Sequence, residues 1–271
     1  MSRYEQLFAK GEGAFVPFIM LSDPNPDDAV EIISAIVEAG ADALELGVPF
    51  SDPVADGPAI QGAHVRALRG GATVQQALDQ VRTIRERYPD LPIGMLIYAN
   101  VAHTRGLDRF YTEFKEAGAD SVLLPDVPVR ESDPFTAAAE RAGIDPIFIA
   151  PAKASREVLE GVAAKSRGYI YAISRDGVTG AENEATVEGL REVVDNVQSF
   201  GGAPVLLGFG ISRPEHVRDA IAAGAAGAIT GSAITNIIDK YVVDNRVENM
   251  DALKQELSDY VSAMKQATIA S

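Results

Sequence analysis

Short apolar runs, rich in β-branched residues, recur along the chain at 15–21, 43–48, 93–99, 121–124, 146–150, 169–173, 205–207 and 228–230. They are nearly continuous rather than alternating, which is the pattern of strands covered on both faces. Between them the apolar positions recur at helical spacing. Asn25 is placed to cap a helix with Pro26 in its first turn, and Val30, Ile33 and Val37 then share one face. Similar patterns occupy 74–84, 107–117, 134–142 and 157–164. Ser212 and Glu215 have the spacing of a capping box ahead of Val217 and Ile221. Near the end, Leu253, Leu257, Tyr260, Val261 and Met264 form an apolar stripe.

The junctions repeat as well. Ala39-Gly40-Ala41-Asp42, Ala117-Gly118-Ala119-Asp120, Ala142-Gly143-Ile144-Asp145 and Ala223-Gly224-Ala225-Ala226 each close a helix and open a strand. Glycine there is expected in the left-handed conformation that ends a helix. A joint used repeatedly implies a repeating βα unit. Eight such strands in 271 residues predict an α/β protein folded as a single (βα)8 TIM barrel. An open doubly wound sheet is the alternative arrangement. No linker or composition break divides the chain, so residues 1–271 are expected to form one TIM-barrel domain.

Composition narrows the function classes. The formal net charge is −15, which argues against nucleic acid and against anionic membrane surfaces as partners. No apolar run reaches the length of a membrane span, and the opening MSRYEQLFAKGEG lacks the apolar stretch of a signal peptide. A cytoplasmic location is therefore expected. There is no cysteine, which excludes disulfides and thiolate chemistry. The three histidines, His64, His103 and His216, have no metal-like spacing and read as surface or structural, so no metal site is expected.

The chemistry concentrates in 44–58, LELGVPFSDPVADGP. Glu45 is an acid set inside an apolar strand, where burial is costly without a partner or a task. Asp56 follows on a turn-rich loop, and two carboxylates in different surroundings are a plausible acid/base pair. The barrel rule places the active site at the C-terminal strand ends. It also selects Asp126, Tyr171, Arg175 and the clusters Gly177-Val178-Thr179-Gly180, Gly208-Phe209-Gly210-Ile211-Ser212 and Gly231-Ser232. Glycines admit an anion close to backbone N–H groups, and a following helix offers its positive end. Asp52, Asp126 and Arg175 read more readily as loop-ordering, and Tyr98 and Tyr171 as core. Neither a dinucleotide fingerprint nor a P-loop is present.

Taken together, Phe15-Val16-Pro17-Phe18, the run from Glu45 to Pro58, Tyr98-Ala99-Asn100, Asp126-Val127-Pro128, Ser174-Arg175 and the three glycine clusters resemble the tryptophan synthase α subunit family. The resemblance covers nearly the whole chain. It implies retro-aldol cleavage of indole-3-glycerol phosphate to indole and glyceraldehyde 3-phosphate. By similarity Glu45 is the general acid/base, and Asp56 accepts the indole N–H and stabilises positive charge on the ring. The resemblance maps an indole pocket onto Phe18, Leu96, Leu123, Ile149, Tyr171 and Phe209. It maps phosphate contacts onto Gly180, Gly210, Gly231 and Ser232, and a closing lid onto Arg175 and Thr179, with Thr179 positioning Asp56. It also implies no cofactor in this chain. Pyridoxal phosphate is expected only in a partner β subunit of an α2β2 heterotetramer, contacted through the loop from Pro53 to Asp56, Asn100 and Pro128. A stand-alone indole-releasing lyase, or an idle phosphate-binding activator of a partner, would share much of this pattern. Met20 stands where the family has a small hydroxylated residue, and the segment before Gly13 is shorter than in some members.

Overall fold

The computed structural model describes residues 1–173 and 187–269. Nine strands form one parallel sheet: β1 (Ala14–Met20), β2 (Leu44–Gly47), β3 (Ile93–Leu96), β4 (Ser121–Leu123), β5 (Asp145–Ile147), β6 (Ile149–Pro151), β7 (Ile170–Ile173), β8 (Val205–Leu207) and β9 (Gly227–Thr230). Their order is β5-β4-β3-β2-β1-β9-β8-β7-β6. The run at 146–150, expected as one strand, is divided at Phe148. Its first half pairs with β4 and its second with β7, while the Phe148 carbonyl accepts the Tyr171 N–H at 3.1 Å. The two halves are one barrel strand that changes partner at a bend, and the ring closes there. This is the TIM barrel, not the open sheet.

Burial explains the continuous apolar runs. All seven residues of β1 are buried. Phe15, Ile19 and Leu21 belong to the outer apolar layer between strands and helices. Ala14, Val16, Phe18 and Met20 belong to the barrel interior, with Tyr169, Tyr171, Leu206 and Ile229. Met20 is accommodated by a glycine on the next strand. A Cβ on Gly47 would lie 2.9 Å from the Met20 methyl and 2.8 Å from the Phe18 ring.

The helices are α1 (Arg3–Phe8), α2 (Pro26–Glu38), α3 (Pro58–Arg69), α4 (Val74–Arg87), α5 (Ala99–Arg105), α6 (Leu107–Ala117), α7 (Asp133–Ala142), α8 (Arg156–Lys165), α9 (Val187–Ser199), α10 (Pro214–Ala222), α11 (Ser232–Asp239) and α12 (Met250–Gln266), with a hairpin of β10 (Val242–Val243) and β11 (Arg246–Val247). Asn25 caps α2 as expected, accepting from the N–H groups of Asp27 and Asp28. Its buried face is Ala29, Ile32, Ile33 and Ile36, however, with Val30 and Val37 on the flanks. Gly40, Gly118, Gly143 and Gly224 all have positive φ, from 72° to 111°, so the repeated joint ends each helix as expected. The capping box at Ser212 is absent. Pro214 opens α10, Arg213 precedes it without a side-chain cap, and the Ser212 N–H turns instead to His216 Nδ1. Leu253, Leu257, Val261 and Met264 are the buried stripe of α12, with Tyr260 at its edge.

The short N-terminal segment is a helix with a job. Ser2 and Glu5 form a capping box on α1, and Tyr4 and Leu7 are buried under the barrel. The Tyr4 hydroxyl meets Ser121 Oγ at 2.8 Å. Gly94 keeps that space open, since a Cβ there would lie within 3.0 Å of both hydroxyls.

Candidate active site

Register brings Glu45 into the barrel between Phe18 on β1 and Gly94 on β3. Its side chain is fully buried. Burial raises its pKa from the ordinary 4.5 to about 7; the Tyr169 hydrogen bond opposes the rise, and the charge of Asp56 adds to it. The Tyr169 hydroxyl donates to Oε1 at 2.8 Å, whereas the buried Oε2 has no partner among the described residues. A buried acceptor left unpaired costs about 1–3 kcal/mol. Such an atom, on a residue that lines a cleft, marks Glu45 as a candidate functional group.

Asp56 ends the loop that follows β2. Although it sits on a turn-rich loop, Asp56 is buried, with 6% of its surface exposed. Its Oδ2 accepts from the Tyr98 hydroxyl at 2.8 Å and lies 3.1 Å from His64 Nε2. The Phe50 N–H donates to His64 Nδ1 at 2.9 Å, so the ring proton sits on Nε2 and points at Asp56. Tyr98 also accepts the Ala55 N–H at 3.0 Å, and Gln61 donates to the Asp56 carbonyl at 2.7 Å. Burial and the neighbouring Asp56 push the Tyr98 phenol upward, which keeps it a donor. Asp126 is loop-ordering, as its reading suggested: it accepts the Ala99 N–H at 2.9 Å and so fixes the start of α5 beside Tyr98.

Both carboxylates line one cleft, together with the apolar Phe18, Leu96, Tyr171 and Phe209 and with Gly210, Gly231 and Ser232. A mostly apolar lining with a few polar groups suits a ligand that carries an aromatic ring and a polar chain. Ile149, expected in the same pocket, lines a neighbouring apolar depression that shares Phe209. Leu123 lines neither and is buried in the barrel interior beside them. Arg175, Thr179 and Gly180 lie outside the described residues. Ile60, Ile229 and Ala233 line the cleft without having been named as site residues, and Ser212 of the second glycine cluster lines it too.

Glycine at 208 is required by packing. A Cβ there would fall 1.9 Å from the Tyr171 ring, whose hydroxyl donates to the Gly208 carbonyl at 3.0 Å. Beside Phe18, α11 begins at Ser232, and its N-cap, Gly231, offers no side-chain cap. The first N–H groups of such a helix can take an anion, and among the described residues no lysine or arginine lines the cleft. Among the described residues no group of acids and histidines is arranged to hold a metal.

The sequence reading missed His64, Tyr98 and Tyr169 as site residues. His64 carried one available signal: it follows Asp56 by eight residues, two helical turns into the helix opened by Gly57-Pro58. Tyr169 is 124 residues from Glu45, and only the barrel brings them together.

The family model described as "Tryptophan synthase alpha chain" matches residues 4–268. The chain is 68% identical over 272 residues to the tryptophan synthase alpha chain of Corynebacterium aurimucosum, covering 99% of this chain and 98% of that one. Among solved structures, it is similar to the alpha subunit from Legionella pneumophila, with a TM-score of 0.86, 30% identity and coverage of 99% and 98%. It is also similar to a chain of the tryptophan synthase α2β2 complex from Pyrococcus furiosus, with a TM-score of 0.83, 31% identity and coverage of 93% and 98%.

Proposed function

The chain belongs to the tryptophan synthase alpha chain family, and from that premise we propose how its own residues divide the work of the family's reaction. It is a carbon–carbon lyase that cleaves indole-3-glycerol phosphate to indole and glyceraldehyde 3-phosphate. The observation that carries the division is the pairing in one cleft of a fully buried Glu45, one oxygen unpartnered, with an Asp56 held by two donors.

Glu45 acts twice. Its protonated carboxyl delivers a proton to the ring carbon that bears the glycerol chain, for which a pKa near 7 is well matched at neutral pH. The resulting carboxylate then takes the proton of the hydroxyl on the attached side-chain carbon. The electrons of that O–H bond become the aldehyde carbonyl, the carbon–carbon bond breaks, and its electron pair returns to the ring as indole forms. The acid is regenerated. Asp56 stabilises the cationic ring between the two steps by accepting the indole N–H on Oδ1, the oxygen that receives no donor among the described residues.

Phe18, Leu96, Tyr171 and Phe209 sandwich the ring, with Leu123 and Ile149 supporting them from behind. The phosphate is held by N–H groups around Gly210, Gly231 and Ser232 and the start of α11, together with Gly180. Arg175 and Thr179 belong to the lid that closes over the ligand. No cofactor takes part in these steps, and pyridoxal phosphate belongs to the β subunit. The β subunit docks at the cleft mouth, on the loop from Pro53 to Asp56, Asn100 and Pro128. Support comes from the second apolar depression, which runs along Val54, Ala55 and Pro128, from the 75% exposure of Val54, and from the likeness to a chain of an α2β2 complex. The whole chain, residues 1–271, works as one domain. A cytoplasmic location accords with the acidic composition and with the lack, among the described residues, of a helix able to cross a membrane.

The test is indole release from indole-3-glycerol phosphate by the purified chain, alone and with a β subunit. Weak release alone that rises sharply with the partner supports a lid-gated α subunit. Strong release alone replaces it with the stand-alone lyase, and none in either case with the idle activator. Asp56→Asn is expected to lose cleavage by orders of magnitude while glycerol 3-phosphate still binds. A collapse of that binding instead would make Asp56 a loop-ordering residue.

A further inference from the structure

We propose that His64 is a positioning residue for Asp56, selecting which carboxylate oxygen meets the ligand. The proposal rests on the reading of Asp56 given above. His64 is buried, with 2% of its surface exposed, in the middle of α3, the helix that begins directly after Asp56-Gly57. Its two nitrogens are both spent, and on opposite ends of one loop. Nδ1 accepts from Phe50 N–H at 2.9 Å, where the chain leaves β2. Nε2 donates to Asp56 Oδ2 at 3.1 Å, where the chain enters α3. The imidazole therefore clamps the loop 50–56 and sets its own tautomer by doing so.

One donor would leave the Asp56 carboxylate free to turn about its terminal bond, because that torsion is broad. Two donors on the same oxygen, Tyr98 from the residue before α5 and His64 from α3, fix the plane of the group. Oδ1 is then presented in one orientation, and the site is organised before the ligand arrives. The backbone is tied as well, by Gln61 to the Asp56 carbonyl and by Tyr98 to the Ala55 N–H. His64 is the group that links the orientation of the carboxylate to the strand end, only a few residues beyond Glu45. Through it the spacing of the two carboxylates is held by side chain as well as by main chain.

The inference is tested by steady-state indole release with full-length His64→Leu, His64→Gln and His64→Asn, alongside binding of glycerol 3-phosphate and thermal unfolding. Leucine removes both bonds. Glutamine keeps an N–H near the Nε2 position and so still donates to Asp56. Asparagine reaches only as far as Nδ1 and serves Phe50 alone. Loss of a hydrogen bond to a charged group predicts a fall in kcat of about 10- to 100-fold for His64→Leu. KM and glycerol 3-phosphate affinity are expected to stay within about twofold, since the phosphate end is untouched. His64→Gln should recover most of kcat and His64→Asn should not.

A folded His64→Leu with undiminished kcat would overturn the proposal. So would His64→Gln as slow as His64→Leu, or His64→Asn as fast as His64→Gln, because the donor toward Asp56 would then not be what matters. If His64→Leu does not fold, the glutamine and asparagine pair decides alone. Failure of the underlying reading looks different: Asp56→Asn itself would turn over normally. A slow Asp56→Asn beside a fast His64→Leu would sink the role of His64 and leave that of Asp56 standing.

Discussion

In the proposed division of work Glu45 is both acid and base at neutral pH, and keeping a carboxyl away from its ordinary value has a cost. The folded chain holds its proton up to about pH 7, whereas the unfolded chain releases it near 4.5. The native state therefore binds more protons across that window, so stability falls as pH rises through it and is level above, by about 3 kcal/mol in all. Glu45→Gln removes that dependence. It is expected to abolish most cleavage, by about 10²- to 10⁴-fold, and yet to unfold at a higher temperature than the parent at pH 8, with the difference shrinking toward pH 5. Calorimetry at the two pH values reads this directly, and a variant no more stable at pH 8 would contradict the buried-acid account. Tyr169→Phe takes away the donor that favours the charged form of Glu45. The Glu45 pKa should rise further, and the alkaline limb of the rate profile should move to higher pH. A limb moving to lower pH would show that the phenol acts otherwise.

Elements place these groups, and here the sequence was read well in part. The period of the apolar runs and the repeated glycine joints led to the barrel, because both are local consequences of strands buried on two faces and helices ended by a left-handed residue. What escaped reading depended on contacts across the ring. Phe148 bends one strand between two partners, a feature its apolar neighbours do not announce. Tyr98, Tyr169 and His64 look like core or surface residues until the barrel sets them beside carboxylates. Glu45 and Asp56 were legible because acids are conspicuous among apolar and turn residues. Leu123, mapped to the pocket by the resemblance, is buried in the barrel interior and does not line the described cleft. Gly208 offers a test at this scale. Gly208→Ala puts a methyl into the Tyr171 ring, so that ring or β8 must shift. Overpacking of that kind costs about 1–3 kcal/mol, and KM for indole-3-glycerol phosphate should rise with it. Unaltered KM and unfolding temperature would mean the wall is softer than its packing implies.

At the scale of the whole molecule, the barrel is finished at one end by α1, which tucks Tyr4 beneath the strands near Tyr169, at 5.4 Å between ring centres. Deleting residues 1–8 should lower the unfolding temperature, since burying Tyr4 and Leu7 stabilises by roughly 1.5–3 kcal/mol per side chain. Water admitted from below should also bring the Glu45 pKa down toward 4.5, shifting the alkaline limb of activity to lower pH. A truncated chain with an unmoved limb would show that the helix is only a buttress. The stopper has a further meaning. Among the described residues α1 covers the base, so entry and exit are left to the cleft that Glu45 and Asp56 line at the other end. Turnover then becomes a matter of traffic, because the cleft that admits the uncut molecule must also let out both of its halves.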